Sequence, residues 1–460
     1  MATPVRPIRH KTEARRARPA LDKRGSVFMI KRYMAACVGL SSLWTGAAEA
    51  QIYISSDPID AVVPLIYNRG RNESVLDRPR PEVNQVGIPL GSFTVLPRFT
   101  SQLGYTSNVL QTEDDRKSDA FVRFQPRLLA RSNWSLHSLQ LEGTGDFVRY
   151  ADQSARNENG WSVTSRGRYD VSGDVAISGQ MSTARRYETQ FSGASLVNVL
   201  TVTPYQQSQA KLLGDARFGR LRAVLSGDYT DYDFKSVRTL DNVQLSQDGR
   251  DRKVARGAGQ FEYGLSPDAG VFVQLGYTDT SYRLPLTFDF PSRSSKEVRA
   301  LAGVTFDLTA LMRGSFGAGY ISRNFDSPAY KTAKGLTIDA KLEYFPTPLT
   351  TATLAVNRTV QDATLASGGF FNTTTAFRLD HELLRTLLLN YAVSYEVDSY
   401  IGIPGKAKIG QVSGGARYLV NRLLTGNLDL TYANRKSDFV GVNGPRLSEF
   451  RALVGVAIHR

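Results

Sequence analysis

Side chains able to do chemistry are sparse in this chain, and they alternate. Arg98, Arg123, Arg127, Arg131, Arg166, Arg168, Arg186, Lys211, Arg217, Arg222 and Arg256 recur on one phase of an every-second-residue pattern in the first half. Asp339, Glu343, Glu396, Asp398 and Asp429 fall on the corresponding phase later on. Cations along a polar passage attract anions, and carboxylates on a facing wall would add a transverse field. Two readings stay open. The passage favours anionic solutes, or the charges pair across it and set only its shape. Catalytic constellations are missing. The histidines beyond residue 50 are His137, His381 and His459, on separate segments without metal-ligand spacing. There is no Gly-x-Ser-x-Gly elbow and no phosphate loop. Glu113, Asp114 and Asp115, like Asp228, Asp231 and Asp233, read as solvated acidic loop positions rather than cation sites. The expectation is therefore no catalytic residue, no metal, no cofactor and no enzymatic activity.

The elements that must position these charges are strands. In Thr386–Asp398 one alternate set is Leu387, Leu389, Tyr391, Val393, Tyr395 and Val397; the other holds Asn390, Ser394, Glu396 and Asp398. Successive side chains of a strand point to opposite faces, so one face is apolar and the other mostly polar. At ~3.3 Å per residue the segment reaches about 40 Å. Strands of globular proteins run to about 5–6 residues, whereas a tilted strand crosses a bilayer in about 9–11. The pattern repeats from Gly91 onward, in about eighteen segments, an even number as single-chain bacterial barrels have. Examples are Asp119–Arg131, Leu221–Tyr229, Leu336–Tyr344, Leu424–Tyr432 and the last strand through Phe450–Ile458. The predicted fold is all-β: a transmembrane, antiparallel, up-and-down β-barrel.

Connections alternate between short and long. Short turns are expected near Ser132–Trp134, Ser172–Gly173, Gly219, Ser266–Ala269, Phe345–Leu349, Leu384–Arg385 and Asn421–Arg422. Long polar connections are expected at Ser107–Ser118, Ala151–Asn159, Glu188–Thr203, Lys235–Arg250, Arg283–Ser295, Asn324–Ala333, Gln361–Phe370, Ser399–Lys406 and Lys436–Leu447. Outer-membrane barrels have short periplasmic turns and longer external loops, which puts both barrel termini in the periplasm. Aromatic residues near strand ends suggest two girdles. Tyr150, Tyr187, Tyr229, Tyr232, Tyr277, Tyr282, Tyr320, Tyr395 and Tyr432 lie by the long loops. Trp134, Tyr169, Phe218, Tyr263, Phe306, Tyr344 and Tyr418 lie by the short turns.

The N-terminus reads as an export signal. Residues 29–50 have Lys31 and Arg32, a short apolar core from Met34 to Trp44, and Ala48-Glu49-Ala50 before Gln51, which places cleavage between Ala50 and Gln51. Residues 1–28 are an upstream extension, and 51–90 a proline-rich, irregular periplasmic leader, either a plug-like or loose tail or an arm for a partner. Residues 91–460 form the barrel. The sole cysteine, Cys37, falls in the signal, so the mature chain has no thiol chemistry. The formal net charge of +14 invites a nucleic-acid reading, but residues 1–50 hold 10 of the 57 Lys/Arg and 3 of the 43 Asp/Glu, half of the excess. The remainder is dispersed along strands, and no nucleic-acid partner is expected.

A series of residues also carries a family likeness. Arg78-Pro79-Arg80-Pro81 leads into Gly87–Phe93; Gly104, Tyr105 and Asn108 follow, then Ser132-Asn133-Trp134 with His137, and Tyr150-Ala151-Asp152. The series resembles the β-barrel porin type 2 family of Gram-negative bacteria. The likeness spans most of residues 78–460 and is densest before Asp152. It implies an outer-membrane barrel in contact with lipid. Members often accompany exopolysaccharide synthesis and export, which implies polysaccharide and periplasmic export proteins as partners. One departure is the end of the chain, Ile458-His459-Arg460, where such barrels usually carry a terminal aromatic. The leading expectation is a porin-like conduit for secreted exopolysaccharide. The alternatives are a general diffusion porin for small hydrophilic solutes, and a structural or adhesive barrel with a closed lumen. The oligomeric state is not legible in these patterns.

Overall fold

In a bilayer an unpaired backbone N–H or C=O is prohibitive, so strands that cross it must close on themselves. The computed structural model describes residues 73–192, 199–285, 290–309, 311–363, 367–439 and 442–460. The expected extension, the signal segment with Ala50 and Gln51, and the start of the leader lie outside the described residues. Eighteen long strands follow one another in chain order. They are β1 (Phe93–Thr106), β2 (Asp119–Ser132), β3 (Ser138–Tyr150), β4 (Glu158–Asp170), β5 (Val175–Glu188), β6 (Thr203–Phe218), β7 (Leu221–Phe234), β8 (Arg252–Ser266) and β9 (Ala269–Tyr282). The second half comprises β10 (Ser295–Leu308), β11 (Met312–Phe325), β12 (Ala333–Thr347), β13 (Thr350–Asp362), β14 (Gly369–Leu384), β15 (Leu387–Tyr400), β16 (Gly405–Leu419), β17 (Leu424–Phe439) and β18 (Val442–His459). Each pairs antiparallel with its sequence neighbours, and β1 pairs with β18 from Arg98↔His459 to Thr106↔Arg451, which closes the barrel.

The seam is offset. β18 stops opposite Arg98, so the first residues of β1 would be left with an open edge. A three-residue strand, Ile88–Leu90, turns back at Gly91 (φ +56°) and pairs with Phe93–Val95 to cover it. The left-handed backbone at that turn is the conformation glycine adopts without steric cost.

Side chains sort by phase. Leu103, Met181, Leu225, Leu336 and Val454 point outward and remain largely exposed, Leu336 at 67%. Only hydrocarbon satisfies such a belt on a closed sheet. The opposite phase is buried and polar: Gln102, Thr230, Gln260, Thr337 and Asp398 are at most 2% exposed. Neighbouring inward amides bond directly, Gln274 Nε2 donating to Gln260 Oε1 at 3.0 Å. Phe272 is an inward exception. Its ring lies over Gly303 and Gly317, where an added Cβ would stand 2.7 and 3.0 Å from it.

Three sequence expectations change. Tyr150, Tyr232 and Tyr282 do not join a girdle; their phase turns them inward and they are at most 8% exposed. The expected loop at Lys436–Leu447 is mostly strand, because β17 and β18 keep pairing through a register shift as far as Phe439↔Val442. A further short turn, between Leu308 and Met312, has neither glycine nor proline to announce it; Thr309 takes a positive φ of 56° there. Outward Tyr229, Tyr277, Tyr320, Tyr395 and Tyr432, and at the other end Trp134, Tyr169, Phe218, Tyr263 and Tyr418, are exposed.

The seam is the place to test closure. A Cβ on Gly455 of β18 would collide with the Ser101 carbonyl of β1. Gly455→Val should cost about 1–3 kcal/mol, as overpacking does, seen as a lower midpoint of urea unfolding and loss of the fast-migrating, heat-modifiable band of the folded barrel.

Candidate functional site in the lumen

The inward charges are mostly engaged by neighbouring strands. Arg123 grips Asp146 at 2.7 Å, Arg127 and Arg166 share Glu142 at 2.7 and 3.0 Å, and Arg168 holds Asp170 at 2.8 Å. Arg222 Nε donates to Asp215 at 2.9 Å, and Arg256 lies 3.4 Å from Asp228. Asp339 meets Arg299 at 3.6 Å, and Glu343 meets Arg313 at 2.6 Å. Arg98 stands in register with Arg127, Lys211 with Asp228, and Arg217 with Arg222. Arg131 and Arg186 share the same inward phase, and both are exposed. Asp429 faces Asn390 across Gly415. The later strands supply inward arginines as well, Arg313, Arg323, Arg378 and Arg435, so their wall carries both signs of charge.

Two chain segments narrow the lumen. The first is residues 189–192, which follow β5. Phe191, 0% exposed, reaches the far wall and joins a cluster with Phe370, Tyr400, Ala407, Ile409, Ala433 and Leu447 of β14–β18 and with Ala363, which follows β13. Arg435 fixes it there, donating to the Gln190 and Ser192 carbonyls at 2.6 and 2.8 Å. The base of the segment is held as well: Arg250 forms two hydrogen bonds to the Glu188 carboxylate at 2.7 and 2.9 Å. Neighbouring connections brace it, with Gln190 N–H donating to Gln111 Oε1 and Leu200 N–H to the Arg238 carbonyl.

The second segment enters at the short-turn end. Residues 73–85 of the leader fold against the inner wall. Val75 N–H donates to Thr351 Oγ1 at 3.0 Å, and Arg80 and Arg78 reach the inward Glu382 at 2.7 and 3.2 Å. Arg80 also donates to the Val75 carbonyl, and Pro79 and Pro81 flank it. Arg385 bonds Glu82 at the rim, and that hydrogen bond holds the Glu82 carboxyl below its usual range. Gln85 ties the segment to the seam through the Pro97 and Arg460 carbonyls. Where it is described, the leader thus rests on the wall residues Thr351 and Glu382 and on the seam.

Beside the Phe191 segment, at the long-loop end of β7–β9, one wall carries an arginine ladder. Arg250 stacks over Phe234 at 4.1 Å, Arg252 over Tyr232 at 4.5 Å, and Arg293 over Tyr282 at 4.5 Å. Flat guanidinium groups on aromatic faces turn their N–H edges toward carboxylates and carbonyls, as Arg250 does to Glu188 and Arg252 to Asp362. Asp362 on β13 takes Arg252 of β8 at 2.9 Å and Arg323 of β11 at 2.7 Å, and Arg323 also holds Glu297 at 2.8 Å. Away from it, on β15, Glu396 and Asp398 occupy successive inward positions, with Asn372 donating to Asp398 at 2.8 Å. The sequence reading names none of the ladder's arginines. Arg252 precedes Arg256 on the same phase and was legible; Arg250 and Arg293 come from connections, where no periodicity announces a direction.

The described residues contain no cluster of metal-ligating side chains. If Phe191 anchors the inserted connection, Phe191→Ala removes about 3–5 kcal/mol of packing at that point. The expected outcome in planar bilayers is a larger and noisier single-channel conductance than that of the unaltered barrel.

A family model described as Putative beta-barrel porin 2 matches residues 80–460. No curated protein matches the chain. Among solved structures it is similar to OccK1 (OpdK) of Pseudomonas aeruginosa, 12% identical over 80% of this chain and 99% of that one, with a TM-score of 0.45. It is also similar to OpdL of Pseudomonas aeruginosa (11% identity, 80% and 99% covered, TM-score 0.42) and to the siderophore receptor PirA of Acinetobacter baumannii (7%, 79% and 80%, TM-score 0.43).

Proposed function

The chain belongs to the Putative beta-barrel porin 2 family, and from that premise we propose that this outer-membrane, porin-like barrel is a selective channel for hydrophilic anions, with the short turns and both barrel termini in the periplasm. The observation that carries the reading is the arginine ladder beside the inserted Phe191 segment. There Arg250, Arg252, Arg293 and Arg323 gather on one wall with the carboxylates Glu188, Glu297 and Asp362 set among them. A cation-rich wall in a low-dielectric passage concentrates anions, and stacked guanidinium edges exchange carboxylate partners without losing their support. The orientation is supported by the short connections, which share one end of the barrel with the first residue of β1 and the last of β18.

The salt-gradient experiment tests selectivity. The reversal potential should show anion preference. Arg252→Ala with Arg323→Ala should reduce that preference, while cation preference in the unaltered barrel would sink the reading.

A second reading is the exopolysaccharide conduit, working with periplasmic export proteins. The leader favours it: a segment held at the proposed periplasmic mouth by Arg78, Arg80 and Glu382 is one that a partner on that side could draw out. An acidic polysaccharide would then meet the same ladder. Deleting the gene should lower the amount of polysaccharide secreted; unchanged secretion removes this reading and leaves the anion channel untouched. A barrel without conductance under either assay would instead be structural or adhesive.

A further inference from the structure

On the outside of the barrel, at the long-loop end of β16, β17 and β18, three cations stand side by side. Lys408 is the register partner of Lys436, and Lys436 is the register partner of Arg446. All three point outward and are exposed. Directly opposed side chains have their Cβ atoms about 4.5–5.5 Å apart, and like charges so placed oppose folding. The nearest carboxylates do not balance the row. Asp438 lies 3.7 Å from Lys436 and is also in register with a fourth outward lysine, Lys406. Glu113 accepts the backbone N–H of Arg446 at 3.1 Å. Two outward lysines elsewhere at this end differ: Lys253 faces Asp231, and Lys296 faces Asp279.

What lies beneath the row identifies its occupant. The next outward row on the same strands is Gly410, Asn434 and Ser448, small and polar. Below it come Val412, Tyr432 and Phe450, then Gly414, Leu430 and Ala452, then Ala416, Leu428 and Val454. The surface passes from cationic to small and polar, then aromatic, then aliphatic, with the lower rows facing hydrocarbon. A soluble anion would match only the top row. A molecule with acyl chains and an anionic headgroup matches every row, and its phosphate would rest among Lys408, Lys436 and Arg446, where charge-assisted hydrogen bonds are strongest.

We infer that this face of β16–β18 is a binding site for a phosphorylated lipid of the leaflet on the long-loop side. Lys408, Lys436 and Arg446 hold the phosphate, and Tyr432 and Phe450 flank the acyl chains. The inference does not depend on what the lumen carries.

Native mass spectrometry of the detergent-solubilised full barrel with lipid A tests it, folding being checked by heat-modifiable migration. The unaltered barrel should retain lipid A adducts, at least ten-fold above K408Q/K436Q/R446Q; the single K436Q should show an intermediate loss, about three-fold. K253Q/K296Q should retain them like the unaltered protein. Equal retention by the triple variant or by K436Q overturns the site. So does equal retention of diacylglycerol, which would mean apolar contact alone, or displacement of lipid A by inorganic phosphate, which would mean a simple anion site.

Discussion

Pairing every backbone polar group inside hydrocarbon is the constraint on which this structure rests. It requires the sheet to close, and closure requires β1 to meet β18 in a fixed register. From that register follow the offset seam, the Ile88–Leu90 strand that covers it, and the entry of the leader into the lumen beside it. The leader's attachment is therefore linked to closure: Gln85 bonds the carbonyls of Pro97 and Arg460, one on each side of the seam.

Closure also decides what the inward face can be. An interior this wide is not filled by wall side chains alone, and water or chain must occupy it. Near the walls, arginine and carboxylate residues on adjacent strands pair, as Arg127, Glu142 and Arg166 do, and keep their charges compensated. Toward the middle, chain segments intrude. Phe191 docks an inserted connection on the opposite wall, and Arg80 docks the leader on Glu382. A buried ion pair of this kind is costly to leave half-broken. The site and the plugs thus use the same chemistry: arginine against carboxylate, out of bulk water.

The barrel was largely legible in the sequence, because a two-residue period with lipid on one side leaves a trace in every strand. Asn390, Ser394, Glu396 and Asp398 share the inward phase that the alternation of Thr386–Asp398 assigns to them. Legibility failed where period carries no information. Tyr150, Tyr232 and Tyr282 were read by proximity to strand ends, although their phase turned them inward. The turn at Thr309 carries none of the usual turn residues, and the extended β17–β18 hairpin is polar enough to pass for a loop. Arg250 and Arg293 lie in connections, whose side-chain directions depend on where the backbone travels.

The sequence by itself determined the architecture: alternation sets the faces, length sets the span, and the order of short and long connections sets the meander. Only the tertiary structure decided which charges meet and what fills the lumen. Those are contacts between segments far apart in the chain, such as Arg80 with Glu382 or Arg435 with the carbonyl of Gln190. A local pattern reports the environment of a face, apolar or polar, because each residue along it meets the same solvent. It does not report a partner, because the partner is chosen by how the closed sheet brings distant walls and inserted segments together.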